Sequence, residues 1–165
     1  EAYLSKRANA PGRALALAGV RLILPHLYDA FRTRSVAALT PVAEGCMLGA
    51  MAFSQTGLGA VHGLAHPIGS LLHLGHGETC ATLLPAILRR NQAAVPALLD
   101  ELAPDLIELV TALRAELGLP ADFRRAGLTP EHYDFIIAHC RSGSMRSNPR
   151  DFSDSEIRQI LEELS

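Results

Sequence analysis

Nothing in this sequence pairs its cysteines. Cys46, Cys80 and Cys140 are odd in number and form no C-x-x-C motif. That excludes a disulfide framework and fits reduced thiols in a cytoplasmic protein. An excess of one charge is also missing. The 15 Lys and Arg against 17 Asp and Glu leave a formal net charge of −2, which argues against a nucleic-acid surface. No apolar run is expected to span a membrane, because Arg21 interrupts the best candidate. The amino terminus carries no secretory signal. No G-x-G-x-x-G occurs, so a dinucleotide-cradling loop is not among these residues. Strand-like alternation and internal repeats are absent too. There is no initiator Met, and the first residues fall mid-pattern without a helix cap.

What remains is helical and apolar. Hydrophobic residues make up 48% of the 165, enough for one domain with a real core. Arg13 to Phe31 predicts a helix opened by Pro11 and Gly12, with Pro25 kinking or shortening it. Thr40-Pro41 predicts an N-cap and first position for a second helix, running to about Gln55. Its small residues Gly45, Gly49, Ala50 and Ala52 suit close packing. Gly57 and Gly59 precede a third helix, which Pro67 should stop or bend. Gly77 to Arg90 predicts a fourth. Pro96 to Leu102 is short, and Pro104 to Leu117 carries a 3.6-period stripe of Leu106, Leu109, Val110, Leu113 and Leu117. Gly118 and Pro120 end it. Thr129-Pro130-Glu131 opens a helix to about Cys140. Ser142 to Asn148 is expected to be a loop. Ser153 and Glu156 form a capping box for the last helix. The expected fold class is all-α, a single bundle of roughly seven to nine helices.

One stretch concentrates the chemistry. From Gly57 to Pro85 the sequence is GLGAVHGLAHPIGSLLHLGHGETCATLLP. His62 and His66 are four apart and share one helix face. His76 follows ten residues later, at the start of the next helical pattern. Two imidazoles on one helix and one at the mouth of the next can converge on a point. Converging neutral imidazoles are the common ligands of Zn, Fe, Ni and Cu. Buried, hydrogen-bonded histidines are the alternative. Cys80 follows His76 by four and either faces the same place or packs inward. His73 is placed as exposed or beside the ligands. His26, His132 and His139 fall on ordinary helices, at the surface or its boundary.

The pattern G-x-x-H-x-x-x-H-P-x-G, then H-G, then L-L-P, resembles the metal-binding signature of the iron-containing (group III) alcohol dehydrogenases. The likeness extends in order along the chain, through Glu1 to Lys6 (EAYLSK), Gly49 to Gly59 (GAMAFSQTGLG), Leu117 to Pro120 (LGLP) and Asn148 to Arg150 (NPR). It implies the dehydroquinate-synthase-like, carboxy-terminal helical domain of such an enzyme, spanning residues 1–165. It implies that His62 and His76 are metal ligands for Fe2+ or Zn2+. It implies that His66 is not a ligand but lies by the reactive end of a nicotinamide, as a proton relay and cofactor contact. Phe53, nine residues before His62, and Met145, before Asn148, fall in regions that line the family's substrate cleft; core packing for Phe53 and a mobile loop for Met145 are the alternatives. Gly75 stands where the family usually has Pro, which should loosen the entry to the site. Asn148-Pro149-Arg150 is expected to be structural, with Arg150 bonding helix carbonyls.

The same resemblance places an Asp and a His ligand, and an NAD- or NADP-binding domain, upstream of Glu1. The expected function is therefore one domain of an NAD(P)-dependent, metal-activated alcohol dehydrogenase acting on a small alcohol or aldehyde. The complete enzyme is expected to be a cytoplasmic homodimer, with no nucleic-acid or membrane partner, and these residues alone are expected to be inactive. One alternative is a metal-independent, maleylacetate-reductase-like oxidoreductase, which the segment HGET at His76 to Thr79 suits. Another is a free-standing helical metal-binding or interaction module.

Overall fold

The computed structural model describes residues 1–165 as nine α-helices with no strand. An amino-terminal segment, Ala2 to Ser5, is buried rather than frayed. It leads to α1 (Ala10–Thr33), where the Asn9 side chain accepts from the Gly12 N–H. Arg34 reverses the chain in a left-handed conformation, and Ser35 caps α2 (Val36–Thr56). The two long helices pack side by side. At Gly19 a β-carbon would come within 2.8 Å of the Gly45 carbonyl oxygen, so glycine lets the two backbones meet.

Pro41 and Pro67 behave differently from the expectation. Pro25, Pro41 and Pro67 all lie inside helices. The second helix begins at Val36 because Ser35 supplies the cap, while the Thr40 hydroxyl bonds the Val36 carbonyl one turn back. The third, α3 (Ala60–Leu72), continues through Pro67. Each proline removes one ladder bond. The buried face of α3, with Val61, Leu64, Ala65 and Ile68, outweighs that loss. By length and composition α1 and α2 would each be able to cross a membrane, with mean hydropathy of 1.3 and 1.5. Arg21 is thus too little to exclude a span, contrary to the expectation from sequence; one charge in a long apolar helix barely moves the average.

The rest of the chain is shorter-ranged. His73 ends α3 in a left-handed turn, and α4 (His76–Asn91) returns against it. Then come α5 (Pro96–Leu102) and α6 (Leu106–Glu116), which starts two residues after Pro104. Gly118 takes the positive φ of a helix stop. A 3₁₀ turn over Pro130–His132 leads into α7 (Tyr133–His139). The expected loop at 142–148 contains a short helix, α8 (Gly143–Ser147), because the Ser142 hydroxyl caps Met145. The Ser153–Glu156 capping box opens α9 (Asp154–Leu164).

Two buried clusters result. One joins α3 and α4 to α7, α8 and α9; the other joins the amino-terminal segment to α1, α2, α5 and α6. α4 belongs to both, with Leu83 and Ile87 in the first and Leu88 in the second.

Asn148 ties these parts together. It is fully buried. Its Oδ1 accepts from the Ala60 backbone N–H at 3.1 Å and from the Asn91 amide at 3.0 Å. Its Nδ2 donates to the Asn91 Oδ1 at 2.9 Å and the Arg150 carbonyl at 2.8 Å. Arg150 Nε in turn donates to the Arg90 carbonyl at the end of α4. Replacing Asn148 with Ala leaves a helix N–H and a buried amide unpaired. The expected cost is about 2–4 kcal/mol, measured as a lower urea midpoint at unchanged slope. A loss below about 0.5 kcal/mol would mean that water replaces these bonds.

Candidate metal centre

The site is built on the amino termini of two successive helices. His62 is the third residue of α3, and His76 is the first of α4. Gly59 caps α3 but has no side chain to satisfy its free N–H groups. Distant side chains do so instead. Asn148 takes Ala60, and the Glu1 carboxylate takes Val61 at 2.7 Å through Oε1. A β-carbon at position 59 would lie 2.6 Å from that oxygen, so only glycine admits the carboxylate so close. A negative group also suits the positive end of the helix dipole.

The other Glu1 oxygen meets His62 Nδ1 at 2.5 Å. This bond occupies one ring nitrogen and leaves Nε2 free for the site. Burial pushes the Glu1 carboxyl up, but the His62 bond, the charge of the amino-terminal ammonium and the Val61 N–H together outweigh it and hold the group below the usual carboxylate range. His62 is pushed up to about 9, first by its contact with Cys80 and then by Glu1, against the opposing effect of burial.

The donor atoms of His62, His76 and Cys80 all lie within 4.8 Å of one another. The His62 and His76 ring centroids are 5.2 Å apart, and His66, one turn beyond His62, stacks on His76 at 5.6 Å. The three imidazoles do gather at one place, with His62 half-buried and His66 and His76 open to solvent. His66 lies outside the converging trio. His73, exposed at the end of α3, lies outside it too. Gly75 has φ −61° and ψ 135°. That is the conformation proline would impose, so the entry to α4 keeps the expected shape without the ring.

An apolar cavity of about 410 Å³ opens beside the trio, between α1, α2 and the amino-terminal segment. Glu1, His62 and Cys80 line its polar end, and Phe53 and Cys46 line its wall. Phe53 thus faces a cavity rather than the core. Met145 is not. It is 5% exposed and packs in the main core against the Gly63 backbone. The Ser142 cap turns this stretch into helix and points the side chain inward. His132 closes a cap on Thr129, and His139 bonds the Phe135 carbonyl; neither approaches the site.

Sequence reasoning missed the part played by Glu1. Nothing in its spacing connects it to His62, sixty-one residues away. A glycine at the start of α3, with no cap of its own, was the available hint. Cys80 had a signal, its i+4 spacing from His76.

The donor set suits a borderline-soft divalent ion. Two imidazoles converge beside a thiol, and one imidazole is backed by a carboxylate, the arrangement that fixes ring orientation and raises ligand basicity in metal sites.

Comparison with known proteins identifies the family. The family signature described as Fe-containing alcohol dehydrogenase family, C-terminal, matches residues 1–165. The chain is 32% identical to the 1,3-propanediol dehydrogenase of Citrobacter freundii over 98% of its own length and 46% of that protein's. Its fold superposes on an alcohol dehydrogenase from Oenococcus oeni with a TM-score of 0.95 at 28% identity, covering 100% of this chain and 48% of that one. A maleylacetate reductase from Rhizobium sp. strain MTP-10005 matches with a TM-score of 0.86 at 25% identity, over 99% of this chain and 48% of that one. The chain spans about half the length of the relatives it matches. It belongs to the Fe-containing alcohol dehydrogenase family, as that family's carboxy-terminal, all-helical domain.

Proposed function

We propose that this chain is the metal-holding half of an NAD(P)-dependent alcohol dehydrogenase acting on a small alcohol or aldehyde. The observation that carries the proposal is the convergence of His62 and His76 beside an apolar cavity, with His62 braced by Glu1. A divalent ion, Fe2+ or Zn2+, would supply polarisation of the substrate oxygen, and a nicotinamide held outside these residues would exchange the hydride. His62 and His76 would offer it one ring nitrogen each from helix ends rather than from a loop, which keeps the geometry narrow. Phe53 and its apolar neighbours shape the space for the substrate's carbon chain. His66, exposed and stacked on His76, moves the substrate proton to and from water. The complete enzyme would be a cytoplasmic homodimer.

The second reading is a metal-free reductase like maleylacetate reductase. Besides the fold likeness, the raised pKa of His62 favours it, since a protonated imidazole can itself polarise a carbonyl. Variants distinguish the two. In the complete enzyme, His62→Ala should abolish metal binding together with most turnover. His66→Ala should keep the metal, slow turnover by about 10²–10⁴ and flatten its pH dependence. Metal content by mass spectrometry, read beside turnover, checks both; wild-type turnover with no metal retained would favour the metal-free reading.

The raised pKa of His62 also sets a pH dependence. Below about 9 the ring carries a proton that an incoming ion must displace. Metal affinity should therefore rise at least about tenfold per pH unit from about pH 7 and begin to level near 9. Glu1→Gln removes a source of that rise, so its affinity should level at lower pH. Competition titration with a chromophoric chelator checks this, and affinity flat across the range would contradict it.

A further inference from the structure

α2 has the composition of a buried helix and lies at the surface. Its one charged residue is Glu44. A helix that is apolar nearly all round belongs in an interior, yet only Gly45, Ala52 and Thr56 of its residues are buried. Val36, Leu39, Met47, Met51 and Phe53 stand exposed along it. α1 is the one element packed extensively on it. Beside the two helices lies the apolar cavity of about 410 Å³, lined in part by the small residues Gly19, Gly45, Gly49 and Ala50. A β-carbon at Gly49 would meet nothing within 4 Å, so a further backbone can come close there. A second cavity, of about 190 Å³, shares Glu1, Val20 and Ile23 with the first and carries the apolar lining on to Leu106 and Val110. Apart from Glu1, which is turned to His62, no Asp, Glu, Lys or Arg lines either one.

We propose that this groove and the open face of α2 seat an apolar-faced helix from the chain that precedes Glu1 in the complete protein. These residues cover 46% of one relative and 48% of another, and the family signature they match is the carboxy-terminal one. The additional chain of such a protein lies upstream. Glu1 lines both cavities, so chain arriving at it enters along the groove, and any other occupant would have to displace it. A helix suits the place because it satisfies its own backbone hydrogen bonds. An extended strand would leave N–H and C=O groups unpaired against apolar walls. Seated there, the helix roofs the cavity and leaves its His62 end to the substrate. The inference rests on membership of the family and not on the metal or hydride chemistry.

Labelling of the complete enzyme tests the proposal. Cys46 is exposed on α2 among these residues. In the complete enzyme it should be shielded from a bulky polyethylene-glycol maleimide. It should react at least about tenfold more slowly than Phe135→Cys, a control at an exposed position of α7. A photoreactive residue in place of Met51 should link to a peptide upstream of Glu1 in the same chain. Mixed isotope-labelled and unlabelled subunits tell that link from one between two copies. Cys46 reacting as fast as Phe135→Cys, a link that joins two copies, or no link to the upstream chain would overturn the proposal. None of these readouts depends on metal or turnover, so the dehydrogenase reading stands or falls separately.

Discussion

The amino terminus of α3 arrives with free N–H groups and no side chain of its own to meet them, and the rest of the site follows from how that need is met. Gly59 offers nothing but room. Asn148 and Glu1, from opposite ends of the sequence, fill the room with a carboxamide and a carboxylate. An uncapped helix start would cost about 1 kcal/mol or more. Here the caps do more than satisfy the backbone. The carboxylate that caps Val61 also holds His62 Nδ1, so one residue closes the helix and aims the ring.

α4 converts that local arrangement into a clamp. It is shared by both hydrophobic clusters, and its last turn is fixed by Asn91 and by Arg150 at the Arg90 carbonyl. Its first turn therefore cannot drift independently of α3. His76 and Cys80 lie on that turn, facing His62. The open face of the trio borders a cavity walled by the close-packed α1 and α2, whose glycines let the walls stand near each other. The polar groups are gathered at one end of an otherwise apolar space.

Much of this was legible in the sequence. The three-histidine spacing and the helix restart at Gly77 located the site, and the ordered motifs through NPR identified the family. The Ser153–Glu156 box was legible because capping is a local, side-chain-to-backbone event. What was not legible depends on tertiary contact. Pro67 looks like a helix stop and Thr40-Pro41 like a helix start by local rules, yet packing along their helices outweighs one lost bond each. Ser35 rather than Thr40 starts α2, because the chain reversal at Arg34 sets where the helix can begin. Met145 looked like a loop residue and is core, because Ser142 folds its stretch into a helix turn. The pairing of Glu1 with His62 has no local signature.

The central claim is that this fold holds a metal ion through His62 and His76. Anomalous X-ray diffraction from crystals of the protein loaded with zinc, recorded on both sides of the zinc absorption edge, tests it most directly. The account predicts one strong anomalous peak about 2.0–2.1 Å from both His62 Nε2 and His76 Nε2, with Glu1 still bonded to His62 Nδ1. A peak elsewhere in the domain, or zinc-loaded crystals with no peak between these two rings, would contradict it.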